Sequence, residues 1–542
     1  MEKFFAKTKN VIFSKQGSIV SSALLLSVMI ITSRFFGFIR YRTLAGFFTK
    51  EELDIFFASF RIPDLVFEIL ITGALTSTFI PIFIRYQNNK KELNESISTI
   101  INSIFLSLTV FIIVLCIFLD FLMPLIAPGY SHVKNEQIVY YSRLLLLGQL
   151  PFLVLGNFLT GIGQANKTFL LTALAPIFYN LTIIVATIFF AQQLFLLAPI
   201  SGVIAGAFIF LLIQLPLLAH SNFNYQFIIK RTKGLLEFFR MMIPRAFTVI
   251  VAQIDATIDL TLTTLLGAGS YTVFYLAQHL QLFPVSVVGV AFGQASLPYL
   301  SEMHAQGKKE EFKKIVTQSI LNLFFLTIPV MSFFVFARTP LVRMFFGGQK
   351  FDWEATVQTA ITLSYFSLSI PFHTIYYFLT RCFYALLDSR TPFYISVVSI
   401  ILNTVLSLSF VFIFHLPVWA LAISFSVSMI LNSSILYLIL TKKLKGLDNQ
   451  FLFVESGKML FVTAISSIVS YFSMKLMDGL IFDLSRTINV FFLLIITGGL
   501  FFLLYFFLSW ILDIKEIYIL SKLLLKAKEY QKKVIEIYTN YE

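Results

Sequence analysis

The chain has 542 residues, of which 58% are apolar and only 13% charged, with 64 phenylalanines; soluble domains carry about 25% charged residues, so a water-soluble globular protein is excluded. The formal net charge of +13 has no basic domain through which to act on nucleic acid. Both cysteines, Cys116 and Cys382, sit in apolar runs, which excludes a disulfide framework or a Cys-rich metal site.

Runs of about 20 apolar residues predict transmembrane helices near 18–47, 54–86, 98–127, 137–165, 168–193, 197–220, 235–266, 270–300, 311–337, 354–384, 391–414, 416–441, 455–477 and 488–512. The expected fold is thus an all-α polytopic membrane protein with about 14 transmembrane helices. The basic N-terminal stretch followed by an apolar run mimics a secretory signal. The run continues past fifteen residues without a small-residue cleavage site, so it is read as the first span.

Lys and Arg alternate between loops. Lys3, Lys7, Lys9 and Lys15, then Arg85, Lys90 and Lys91, then Lys230, Arg231 and Lys233, then Lys308 to Lys314, then Lys442 to Lys445 occupy the N-terminus and every second loop. The positive-inside rule then places both termini in the cytoplasm of a multi-pass protein. The tail after Leu512 spaces lysines among Ile, Leu and Tyr at helical intervals and reads as an amphipathic helix on anionic headgroups.

Two segments repeat. "PFLVLGNFLT" from Pro151 matches "PFHTIYYFLT" from Pro371, and "GALTSTFIPIF" matches "GVAFGQASLPYL" so that Pro81 corresponds to Pro298. Both offsets span six helices, an even number, which predicts two six-helix bundles in parallel pseudo-twofold repeat plus two C-terminal helices. The expected partition is 1–222, 223–442, the two added helices in 443–512, and the cytoplasmic tail 513–542.

Charges inside apolar spans are expensive and mark function. The first span carries Arg34, Arg40 and Arg42. The second carries Arg61, Asp64 and Glu68, spaced by three and four on one face. The seventh carries Arg245, Asp255 and Asp259, the eighth His279, and the tenth His373 and Arg381. For Arg42 and Arg381, near helix ends, snorkelling to the interface is the competing reading.

"SRFFGFIR", "DIFFASFRIPDL", "GALTSTFIPIF" and "RCFYALLDSRTPF" resemble the MurJ (MviN) lipid II flippases of the multidrug/oligosaccharidyl-lipid/polysaccharide exporter superfamily, over nearly the whole chain. The resemblance implies alternating access in the bacterial plasma (inner) membrane. The cargo would be lipid II, undecaprenyl-pyrophosphate-linked disaccharide-pentapeptide, moved without ATP to the outer leaflet. It assigns cavity roles to Arg34 and Arg40 and an acidic role to Asp54; guanidinium forks suit phosphate oxygens.

The chain departs from the family pattern at Phe67, Thr72 and Leu282, and at His279, which replaces an arginine and can stand in for it when protonated. Arg61 and Arg245 are the candidate substitutes. Asp259 matches an acidic position that in some members holds sodium with groups of the eleventh and twelfth helices; here Asn403 matches one partner and Ser407 lies a turn on. Oxygen donors suit a hard cation, while a protonated Asp259 or an ion pair with Arg245 are the alternatives. No cofactor is implied, coupling to Na+ or H+ is, and the expected partners are lipid II and membrane lipids, with the chain a monomer. An enzyme is disfavoured because G-x-x-x-x-G-K-[ST], H-E-x-x-H and G-x-S-x-G are all absent. The nearest rival is an exporter of another polyprenyl-pyrophosphate-linked polysaccharide.

Overall fold

The computed structural model describes residues 19–71, 78–166, 168, 170–480 and 487–518. The N-terminal lysines, Thr72 and the tail from 519 lie outside the described residues. The described chain is helical, without strands among those residues: α1 (Ile19–Phe47), α2 (Lys50–Ser59), α3 (Arg61–Leu70), α4 (Ile80–Tyr86), α5 (Lys90–Ile126), α6 (His132–Gly148), α7 (Leu150–Ala165), α8 (Leu170–Leu194), α9 (Leu197–Gln214), α10 (Pro216–Ala219), α11 (Lys233–Leu265), α12 (Ser270–Pro284), α13 (Ala291–Ala305), α14 (Lys309–Phe336), α15 (Arg338–Phe346), α16 (Trp353–Ser367), α17 (Ile370–Ala385), α18 (Arg390–Leu408), α19 (Trp419–Lys443), α20 (Asn449–Leu480) and α21 (Thr487–Ile511). Wide π-turns, Val285–Val290 and Ser409–Ile413, join α12 to α13 and extend α18.

Among the described residues ten helices are long and apolar enough to cross a membrane, against fourteen expected spans. The other four segments are helical too, but differently built. Segments 18–47 and 235–266 are α1 and α11, the latter rich in charge. Segment 54–86 is divided among α2, α3 and α4, and 354–384 between α16 and α17.

Prolines cause part of this. Pro63 has no N–H to give the Ser59 carbonyl one turn earlier, and Ser142 Oγ on α6 donates to that carbonyl at 2.9 Å instead. Pro329 likewise frees the Phe325 carbonyl inside α14, and the buried Tyr505 hydroxyl of α21 donates to it at 2.9 Å.

The described chain forms two compact units, residues to Val273 with Phe345–Ala355, and Phe274–Met344 with the remainder from Thr356. In the first, α1 packs on α8, α8 on α9, and α11 on α5 and α3. In the second, α17 packs against α13, α14 and α19, while α20 and α21 pair and α20 lies along α14. The pair is pinned to α14 by Tyr505 and by Ser332 Oγ, 2.5 Å from Ser467 Oγ.

Contacts between loops join segments that the alternation of spans puts on one side of a membrane. In the first unit Phe351 N donates to Ala45 O at 3.1 Å, Lys50 Nζ lies 3.3 Å from Glu354 Oε1, and Gly129 N donates to Thr264 Oγ1 at 3.3 Å. These belong to the loops sparse in lysine. From the lysine-rich set, Gln87 reaches Asn166, and Asn94, Ser98 and Asn102 of α5 hold the extended segment around 224–228. In the second unit Lys443 Nζ lies 2.7 Å from Asp388 Oδ2, and Asp388 also accepts from Thr391 N at 3.0 Å and its hydroxyl at 2.6 Å. Partial desolvation, the largest single influence, pushes the Asp388 carboxyl up, but together these donors outweigh it and hold it below the usual range.

Tyr505→Phe should lower the thermal unfolding midpoint of the purified protein, since a buried carbonyl left unpaired costs about 1–3 kcal/mol. In a Pro329→Ala background, where a backbone N–H again reaches Phe325 O, the same substitution should cost clearly less; equal costs in both backgrounds would refute the compensation. Because the Asp388 carboxyl is depressed in the folded chain, its contribution is present above about pH 4 and lost as pH falls below that. Asp388→Asn should therefore flatten the acid limb of the stability–pH curve.

Candidate substrate-binding site

In the first unit, α3 points Arg61 at α11. The residue is 9% exposed. Its Nε donates to Thr257 Oγ1 at 3.1 Å, and one terminal nitrogen donates to Gln253 O at 2.8 Å and Gln253 Oε1 at 2.7 Å. Neutral acceptors on α11 thus satisfy the fork that the sequence offers as a phosphate ligand.

Around this anchor the charges alternate. Asp64, three residues on, interacts electrostatically with Arg61, Glu68 and Arg40. Asp259, buried on α11, interacts with Asp255 and Arg61. Arg40 is half-buried, its guanidinium 4.7 Å from the Tyr41 ring centroid, a cation–π arrangement. Arg34 is exposed, and Phe67 is half-buried on α3. Two arginines therefore share one neighbourhood with four carboxylates: the cluster is mixed, not simply basic. The side chain of Arg245 lies outside the described residues.

Asp54 has a structural task. Fully buried on α2, it accepts from Gly269 N at 2.6 Å, Thr272 N at 2.8 Å and Thr272 Oγ1 at 2.9 Å. It therefore satisfies backbone donors in the first turn of α12, which helix ends otherwise leave open. The turn before α12 has Gly267 and Gly269 at φ 112° and 84°, the left-handed region open to glycine. Thr272 Oγ1 also lies 2.8 Å from Lys50 O.

In the second unit, His279 Nδ1 lies 2.8 Å from Tyr275 O one turn back. Gln281 Nε2 donates to Ser369 Oγ at 3.0 Å and lies 3.3 Å from Nδ1 of the buried His373, which stacks on Tyr377 with ring centroids 5.3 Å apart. Asn403 and Ser407 are buried on α18, and Ser407 Oγ lies 2.6 Å from Ser424 Oγ on α19. Arg381 lies 5.6 Å from the Tyr384 ring centroid. Among the described residues no group of three or more His, Cys, Asp or Glu could hold a metal ion.

Sequence reasoning found Arg61, Asp64, Asp54 and Asp259 but missed their partners Gln253, Thr257, Gly269 and Thr272. Only the paired glycines before α12 signalled a special turn there.

A family model described as "Lipid II flippase MurJ" matches residues 44–492. The lipid II flippase MurJ of Burkholderia cenocepacia is 27% identical over 434 residues, 78% of this chain and 83% of that protein. A Buchnera aphidicola protein (subsp. Acyrthosiphon pisum) named "Probable lipid II flippase MurJ" is 28% identical over 437 residues, covering 77% and 82%. Among solved structures, one titled "Lipid II flippase MurJ, inward closed conformation" superposes with a TM-score of 0.75 at 23% identity, covering 90% of this chain and 98% of that one. An inward-facing MATE multidrug transporter of the MOP superfamily gives 0.67 at 13% identity, covering 78% and 98%. These matches are to transporters, not enzymes, and the chain belongs to the MurJ family.

Proposed function

We propose that this protein moves lipid II from the cytoplasmic to the outer leaflet of the inner membrane by alternating access. The family match over residues 44–492 carries the reading. Three further features support it: Arg34 and Arg40 on α1, the charge cluster of α3 and α11, and loop contacts that stay within the lysine-rich or within the lysine-sparse set.

The chemistry follows from the cluster. Arg61 is committed to Gln253 and Thr257, so Arg40 and Arg34 are the guanidinium groups to meet a pyrophosphate. Arg40 has Asp64 as an electrostatic neighbour. An incoming pyrophosphate takes over that carboxylate's part, exchanging one anionic partner for a bidentate one. The released Asp64 leans on Arg61, which it shares with Asp259, and the acid left short of positive charge takes up a cation or a proton, which couples lipid movement to Na+ or H+. Asp259, beside Asp255, is the group placed for that uptake, with Asn403 and Ser407 as candidate oxygen donors. Arg245, His279 and the buried Asp54 complete the proposed set, Asp54 by holding the α12 turn. The lipid tail runs along α20 and α21.

Phe67 and His279, where the family has arginines, favour one second reading, a flippase for another polyprenyl-pyrophosphate-linked glycan.

In a bacterium depleted of its resident lipid II flippase, the parent chain should restore growth, and well-expressed Arg34→Ala or Arg40→Ala should fail by at least tenfold in plating efficiency. A stable, inserted parent that does not rescue would shift the assignment to the second glycan. Asp259→Asn should make any remaining transport indifferent to sodium and pH; retained dependence on either would remove Asp259 from coupling.

A further inference from the structure

A cavity of about 800 Å³ lies in the first unit where α1 ends, walled by α1, α8 and the loop at 347–350. Its α1 lining is Ile39, Arg42, Thr43, Gly46 and Phe47, spaced by three and four and so on one helix face. Arg42 follows Arg40 by two residues, roughly 200° around the helix, and so faces away from the acids that Arg40 meets. α8 adds Gln192 and the loop adds Lys350.

The outer wall is built, not incidental. Phe351 N is bonded to Ala45 O at 3.1 Å, and a Cβ on Gly348 would come 2.5 Å from that same oxygen, so glycine alone lets the loop lie this close. Gly46 is the opposite case: a Cβ there meets nothing within 4 Å and would project into open space. The one acid in the lining, Glu52, is already bonded, accepting from Thr49 N at 2.8 Å in a capping box. Ile188, another lining residue, continues into Phe189 and Phe190 on α8, an exposed apolar face of the kind that meets lipid.

We propose that this cavity binds the headgroup of an anionic phospholipid from the adjoining leaflet, its phosphate between Arg42 and Lys350. Thr43 and Gln192 serve the polar remainder of the headgroup, and the acyl chains follow the apolar face of α8. A cationic fork beside a lipid-facing surface recognises such a phosphate, and two cations, Arg42 and Lys350, against the single carboxylate of Glu52 leave the lining net positive. This occupant is resident lipid, separate from the transported cargo, so the site stands or falls independently of the flippase reading.

Native mass spectrometry of the full-length protein, released from micelles after incubation with phosphatidylglycerol or phosphatidylcholine, tests it. The parent should retain one more phosphatidylglycerol than phosphatidylcholine per chain. That extra lipid should be lost in Arg42→Gln/Lys350→Gln and also in Gly46→Leu, which fills the cavity without removing charge. Equal retention of both lipids by the parent, or an extra lipid that survives both variants, would overturn the proposal. Inorganic phosphate binding that requires Arg42 and Lys350 but shows no lipid preference would overturn it as well, assigning the site to free phosphate.

Discussion

Hydrocarbon offers no hydrogen bond, and the placement of polar groups in this chain follows from that one fact. Where a proline removes a backbone donor, a hydroxyl from another helix arrives: Ser142 at the Ser59 carbonyl, Tyr505 at the Phe325 carbonyl. These contacts do two things at once. They permit a break or bend where a straight helix would run on, and they fix which neighbour packs there. The docking of α21 on α14 is thus specified by a donor aimed at one carbonyl as well as by stacked phenylalanines such as Phe333 and Phe501.

The same constraint shapes the charged cluster. A buried guanidinium must bring acceptors with it, and Arg61 finds them on α11 in an amide, a hydroxyl and a backbone carbonyl. Neutral acceptors satisfy the fork without cancelling its charge, so Arg61 still acts on both Asp64 and Asp259. It is a fixed positive centre shared by the two carboxylates. A site of arginines alone would repel itself, whereas here four carboxylates more than offset the two arginines. In the proposed function, binding is then an exchange of partners, the incoming pyrophosphate replacing a carboxylate beside Arg40.

Helix positions were legible in the sequence because apolar length is a strong signal, and so was the pairing of loops by side, because lysines follow the same alternation. The face formed by Arg61, Asp64 and Glu68 could be read from spacing alone. The division of segment 54–86 could not: hydropathy averages over Pro63, and the breaks depend on a serine in another helix. Asp54 shows the deeper limit. Its acidic character was plain, but its partners Gly269 and Thr272 lie more than 200 residues on, and threonines are too common in apolar helices to announce a contact. Gln253 and Thr257 escaped notice for the same reason.

Arg40 and Arg42 show why composition underdetermines a site even when every charged residue has been noticed. In the sequence they form one basic cluster with Arg34, and the density of arginine in a single span invites a single explanation. A helix turns 100° per residue, so two positions apart means nearly opposite faces. Arg40 therefore stands over Tyr41 within reach of the α3 acids, and Arg42 lines a cavity with α8 and Lys350. One short stretch of α1 supplies cations to two environments, one crowded with carboxylates and one whose single carboxylate is already bonded. Their chemistry must differ: the proposed exchange of partners belongs to the first, and the proposed lipid phosphate to the second.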